Sequence, residues 1–130
     1  MILVDSSLWI DYLRGRSSAA VDALDERLAA RDVVMCGPVA AELLAGEQPG
    51  ERMRLWELFT AMPWADLDRA DYFAAGDAAA LLRDQGRTVA LYDVLIAAAA
   101  SGRAALWTRD RDFERIAEVL EPLELKLLRD

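Results

Sequence analysis

The 130-residue chain has no histidine, one cysteine (Cys36) and one lysine (Lys126). Without histidine there is no Ser-His-Asp or Cys-His catalysis, no imidazole base and no histidine zinc site. A lone cysteine excludes an internal disulfide and a cysteine-rich zinc site. Cys36 ends the apolar run Val33-Val34-Met35-Cys36, so it reads as a buried structural thiol, and a reducing cytoplasm is the expected compartment. No apolar run approaches the roughly 20 residues that span a bilayer; the longest candidate, Val94 to Ala100, is short and alanine-rich. No basic segment precedes an apolar one at the N-terminus, so no secretory signal is expected. Positive charge is also scarce: 15 basic against 23 acidic residues leave a net charge of −8. A broad basic face for nucleic acid is therefore not expected. A local acidic site, balanced only when cations bind, fits that charge. The phosphate-binding pattern Gly-x-x-x-x-Gly-Lys is missing too. What remains for chemistry is carboxylates, hydroxyls and arginines.

The 55% hydrophobic content is ample for one core, and the length fits one domain over residues 1–130. Met1 to Asp5 is an apolar run ending in a carboxylate, the pattern of a buried strand. Leu8, Trp9, Tyr12 and Leu13 then recur at helical spacing, with Ser6 or Ser7 as the expected N-cap and Gly15 as the stop. A helix capped by Ser17 or Ser18 runs to about Ala30. Val33 to Cys36 is a second strand, and Val39 to Ala45 a helix closed by Gly46. A helix through Met53 to Phe59 ends by Pro63, and Trp64 to Leu67 is a candidate short strand. Arg69 to Gln85 and Leu91 to Ser101 are helices. Ala104 to Thr108 is a strand, Asp112 to Leu120 a helix, and Leu123 to Leu128 a last strand. Short apolar strands alternating with helices predict an α/β fold, its parallel sheet covered on both faces.

Most acidic residues fall on solvated helix faces. A few do not. Asp5 ends a strand, where open α/β sheets bind ligands; capping the next helix is the equal alternative. Glu42 is the only charge in Pro38-Val39-Ala40-Ala41-Glu42-Leu43-Leu44-Ala45, so it is expected to be at least partly buried, a costly state for an unpaired carboxylate; a snorkelling surface glutamate is the alternative. Asp93 lies in Val89-Ala90-Leu91-Tyr92-Asp93-Val94-Leu95-Ile96, close to a helix start that favours an anion; a structural aspartate at that helix start is the alternative. Asp110 and Asp112 follow a strand, and Asp112 is the expected cap of the final helix. If these positions share one sheet edge, the carboxylates raise one another's pKa. A cation relieves that repulsion, and an all-oxygen donor set selects Mg²⁺ or Mn²⁺.

The stretch Ile2-Leu3-Val4-Asp5-Ser6-Ser7-Leu8-Trp9-Ile10-Asp11-Tyr12-Leu13 resembles the opening of PIN-domain nucleases, in particular the VapC-type toxins. The resemblance continues in order through Val39-Ala40-Ala41-Glu42-Leu43-Leu44-Ala45-Gly46, Tyr92-Asp93-Val94-Leu95-Ile96-Ala97 and Thr108-Arg109-Asp110-Arg111-Asp112-Phe113. Each block is weak alone; their order and spacing carry the likeness. It implies a three-layer α/β/α sandwich with a mainly parallel sheet. It implies that Asp5, Glu42, Asp93 and Asp110 are the catalytic acids and hold one or two Mg²⁺ or Mn²⁺ ions. Asp112 matches a further acidic position that holds the metal directly, through water, or only orients the site; Ser7 matches a hydroxyl or amide position near the metal and Thr108 a supporting hydroxyl. It also implies a toxin that cleaves RNA, is neutralised by a cognate antitoxin protein and forms a homodimer.

In-line hydrolysis at such a site should leave a 5′-phosphate and a 3′-hydroxyl, because the 2′-hydroxyl need not act. Arg109 and Arg111 are candidates for holding the RNA backbone, with solvated surface as the alternative. Trp9, Tyr12, Trp56 and Phe59 either pack in the core or offer apolar surface to a partner or second copy. Two other classes compete. A receiver-like signalling domain also places an aspartate at a strand end, but it wants adjacent acids there and a lysine after a late strand. A phosphatase-like domain with an acidic Mg-binding pocket wants Asp-x-Asp, where this chain has Asp5-Ser6-Ser7.

Overall fold

Ile2-Leu3-Val4 is buried on both faces and forms β1 (Ile2–Val4). The computed structural model describes residues 1–129. After β1 come α1 (Ser6–Leu13), α2 (Ala19–Ala29), β2 (Val33–Val34), α3 (Gly37–Ala45), α4 (Pro49–Ala61), α5 (Arg69–Asp84), α6 (Leu91–Ala100), β3 (Ala105–Thr108), α7 (Asp112–Val119) and β4 (Leu125–Leu127). The strands pair in parallel in the order β2-β1-β3-β4. Such a sheet is buried between helices, which is why its strands read as continuous apolar runs rather than alternating ones.

Local chemistry sets the element ends. Ser18 Oγ accepts from Val21 N–H at the start of α2, and Asp68 with Asp71 forms a reciprocal capping box on α5. Gly15 and Gly102 take φ of 71° and 72° just past α1 and α6, a left-handed turn that glycine adopts without strain. Helices α5, α6 and α7 pack on one another, α1 packs on both α2 and α3, and α3 also meets α6. Trp9, Leu3, Leu24, Ile96, Leu106, Phe113 and Ile116 are among the fully buried side chains of the core.

Two expectations change. The stretch from Trp64 to Leu67 is not a strand; only Trp64 forms a bridge, to Met35. The N-cap of α1 is Asp5, not Ser6 or Ser7: its carboxylate accepts from Ser6 N–H at 2.7 Å. Cys36 is buried as expected, and burial pushes its thiol up to about 11.

The strand order places the functional edge. From β1 the chain moves outward to β2, and from β3 outward to β4 on the other side. The crevice beyond the carboxyl ends of β1 and β3 is thus a topological switch point, where open α/β sheets bind ligands. Asp5 follows β1 there, and residues 109–111 follow β3.

Candidate active site: a carboxylate cluster at the sheet edge

Asp5 is the anchor. It is 7% exposed, and hydrogen bonds hold both carboxylate oxygens. Oδ1 accepts from Ser6 N–H at 2.7 Å, and Oδ2 accepts from the Thr108 hydroxyl at 2.9 Å. The backbone agrees: Asp5 N–H donates to the Trp107 carbonyl at 3.0 Å. Burial raises the Asp5 pKa, these hydrogen bonds oppose the rise, and the charges of Glu42 and Asp110 add to it.

Thr108 ties the two strand ends together. Fully buried at the end of β3, it donates to Asp5 and also accepts from Asp110 N–H at 3.0 Å. Asp110 Oδ1 in turn accepts from Asp112 N–H at 2.9 Å. It is therefore Asp110, not the expected Asp112, whose carboxylate caps the approach to α7. Asp112 is the first residue of that helix and faces Arg115 at 3.8 Å.

Glu42 reaches the same edge from α3. Its Oε1 accepts from the Ser6 hydroxyl at 2.6 Å. The expectation of burial is wrong, because Glu42 is exposed. Its helix is rich in alanine, and Ala41 and Ala45 are exposed beside it. Alanine faces water at little cost, so an apolar composition did not mean a helix covered on every side.

Asp93 stands in the first turn of α6, half-buried. Desolvation is the main cause lifting its pKa to about 6, and the charges of Asp5, Asp110, Glu42 and Asp112 add to it. All five acids expected from the sequence are thus electrostatic neighbours, although they come from four separate segments. Among the described residues, Asp5, Glu42, Asp93 and Asp110 form no ion pair with an arginine, a lysine or the N-terminal amine. Nor do three or more acids among the described residues stand together as a ready-made cage for an ion. The donor set itself, carboxylate and hydroxyl oxygens with no nitrogen or sulfur, suits a hard divalent cation.

Other candidates fall elsewhere. Ser7 is exposed, and the hydroxyl that bridges Asp5 and Glu42 belongs to Ser6, at 3.4 and 2.6 Å. Sequence reasoning missed Ser6 as a site residue, although its place directly after a strand-end aspartate was a usable signal. Arg109, a candidate RNA contact, is engaged within the protein by an ion pair with Asp11. Arg111 is exposed beside the cluster. Trp9 and Phe59 are core residues, Tyr12 is half-buried and Trp56 is 63% exposed.

The family model described as the PIN domain matches residues 2–119. The VapC ribonuclease Mb1587 of Mycobacterium bovis is 35% identical over 125 residues, covering 92% of this chain and 93% of the relative. Ribonuclease VapC11 of Mycobacterium tuberculosis matches equally well, at 35% identity and the same coverage. Among solved structures, VapBC2 from Rickettsia felis, bound to a DNA fragment from its promoter, superposes with a TM-score of 0.75 at 20% identity, covering 99% of this chain and 100% of that one. VapBC-1 from nontypeable Haemophilus influenzae gives a TM-score of 0.75 at 24% identity, covering 98% of each chain. With the family model matched over residues 2–119 and relatives 35% identical over most of the chain, the chain belongs to the PIN domain family.

Proposed function

We propose that this protein is a metal-dependent endoribonuclease, the toxin of a toxin–antitoxin pair, acting as one nuclease unit over its whole length. The observation that carries the reading is the convergence of carboxylates that, among the described residues, form no ion pair with a protein cation, with Asp93 lifted to about 6 by burial and by its acidic neighbours. Such a cluster is unfavourable in isolation and is relieved by a cation. Membership of the PIN family and the ribonuclease names of its relatives support RNA as the substrate.

In this reading Asp5, Glu42, Asp93 and Asp110 hold one or two Mg²⁺ or Mn²⁺ ions, with Asp112 supporting them. Bound there, the cation supplies activated water and offsets the charge that builds on the phosphate. The protein's own part is to place the oxygens. Thr108 and Ser6 fix the two oxygens of Asp5, so one carboxylate is preorganised before any ligand arrives. Ser6 steers Glu42 from the side of α3. The start of α6 favours negative charge at Asp93 through its macrodipole. Arg111 is exposed at the rim and is the better placed of the two arginines to meet an RNA phosphate, since Arg109 is held by Asp11.

The cognate partner is an antitoxin protein, and a homodimer is the assembly the reading expects. Support comes from the structural likeness to VapBC proteins. Met53, Trp56 and Trp64 add exposed apolar surface on and just after α4, of the kind that a protein partner covers. The test is cleavage of RNA by purified protein with Mg²⁺ or Mn²⁺, against controls with EDTA and with Asp93→Asn. Cleavage of the wild type alone, with 5′-phosphate products, supports the reading. Phosphate transfer to Asp5 from a small donor would favour the receiver-like or phosphatase-like alternative instead.

A further inference from the structure

We propose that Asp11 is a positioning residue for the carboxylate cluster, acting through Arg109 on the loop that carries Asp110. The inference rests on the nuclease reading above. Asp11 lies in α1, the helix capped by Asp5 and begun by Ser6. Its side chain is 16% exposed and forms ion pairs with Arg109 and, at 3.1 Å, with Arg16. The Arg109 hydrogen bond is the main cause holding the Asp11 carboxyl below its ordinary range; desolvation opposes it, and the Arg16 charge adds to it.

The placement matters more than the pair itself. Arg109 sits between Thr108, which binds Asp5, and Asp110, which contributes to the cluster. One helix and one loop are therefore joined at two points. Asp5 meets Thr108 at the start of α1, and Asp11 meets Arg109 further along it, roughly 9 Å down the axis at 1.5 Å per residue. A single joint lets the loop pivot; two joints fix its direction. Asp110 itself hydrogen-bonds to residues near it in sequence, Thr108, Asp112 and Phe113, and the Asp11–Arg109 joint ties its loop to a separate element, α1. An ion pair this shielded is more durable than a fully exposed one, and guanidinium–carboxylate contacts are directional. Misplacing a reacting group by about 1 Å can cost about 100-fold in rate, so a brace of this kind acts on turnover rather than on binding.

The experiment is a double-mutant cycle on the full chain, with Asp11→Asn, Arg109→Gln and the pair combined, and with Asp11→Glu as the charge-keeping variant. RNA cleavage gives kcat and KM, and calorimetric titration with Mn²⁺ gives a second readout independent of turnover. Each single variant is expected to lower kcat about tenfold, with KM within about twofold. The double variant should be no worse than the weaker single, because the joint is lost only once. Mn²⁺ affinity should fall in the same non-additive pattern, and Asp11→Glu should recover most of kcat. Additive losses in both readouts would overturn the proposal. So would a raised KM with unchanged kcat in Arg109→Gln, the signature of an arginine that holds RNA. Should the wild type cleave no RNA, the nuclease reading falls; a coupled loss of Mn²⁺ affinity would still support the brace, and an additive one would sink it.

Discussion

The Thr108 hydroxyl donates to Asp5 Oδ2 at 2.9 Å and accepts from Asp110 N–H at 3.0 Å. One buried side chain thereby sets the positions of two acids from different strand ends. Valine keeps the shape of threonine and removes both hydrogen bonds. Thr108→Val should destabilise the fold by roughly 1–3 kcal/mol, the usual cost of leaving a buried polar group unpaired, read as a lower urea midpoint. It should also reduce RNA cleavage. Thr108→Ser should restore most of both. A valine variant with unchanged cleavage would mean that Asp5 does not need this support.

Glu42 separates charge from burial. It is exposed, so Glu42→Gln carries little folding cost and relieves repulsion on Asp5 and Asp93. The variant should melt at the same temperature as the wild type or slightly higher when metal-free. Its kcat should fall by about 10-fold or more, the scale of losing one charged group from the transition state. Loss of stability together with activity would point to a structural glutamate instead.

The raised carboxylates give the metal-free protein a distinctive pH dependence. Asp93 is lifted from 3.8 to about 6 and Asp5 is raised in the same direction. For a carboxyl whose folded pKa lies above its unfolded value, the folded state binds the proton more tightly. The stability it contributes is complete below the unfolded pKa and is lost as pH rises through the folded pKa. Asp11, Asp32 and Asp71 are shifted downward and work the other way, losing their contribution at pH below about 4, the ordinary aspartate range. The metal-free protein should therefore melt higher near pH 5 than near pH 7.5. Excess Mg²⁺ or Mn²⁺ should raise the melting temperature at pH 7.5 and close that gap. Equal melting temperatures at both pH values, with no response to the cation, would contradict a strained acidic cluster.

The exposed apolar strip makes a separate prediction. Met53 and Trp56 are 65% and 63% exposed on α4, a helix that carries none of the cluster's acids. Trp56→Lys should leave RNA cleavage intact and weaken the complex with the antitoxin proposed as partner, measured by calorimetry with the co-expressed protein. An unchanged affinity would move the partner to another face.

Much of this architecture was readable in the chain. Asp5 and Thr108 close apolar runs, and such runs in a buried parallel sheet have few other readings. Gly15 and Gly102 announced the ends of α1 and α6 because each occupies a left-handed turn. Asp93 stood out because a charged side chain among so many apolar neighbours is hard to bury without purpose. Glu42 was misjudged for the opposite reason: alanines read as apolar but tolerate water, so the composition of α3 did not reveal its exposed face. Ser6 and Ser7 are chemically equal in sequence, and only the turn into α1 decides which hydroxyl meets Glu42. The Asp11–Arg109 pair joins residues 98 positions apart, with no periodicity to mark it. The parallel pairing of β1 with β3 brings the loop after β3 alongside α1.

The central claim is that the carboxylate cluster cleaves RNA with a divalent cation, and the most direct measurement compares wild type with Asp93→Asn. Purified protein is incubated with RNA in Mn²⁺ or Mg²⁺, with and without EDTA, and the product ends are identified. The expected result is cleavage by the wild type that EDTA abolishes, 5′-phosphate and 3′-hydroxyl ends, and a loss of about 100-fold or more in the folded variant, the scale of removing an acid–base or charge-stabilising group. Equal cleavage by Asp93→Asn, or cleavage that persists in EDTA, would contradict it.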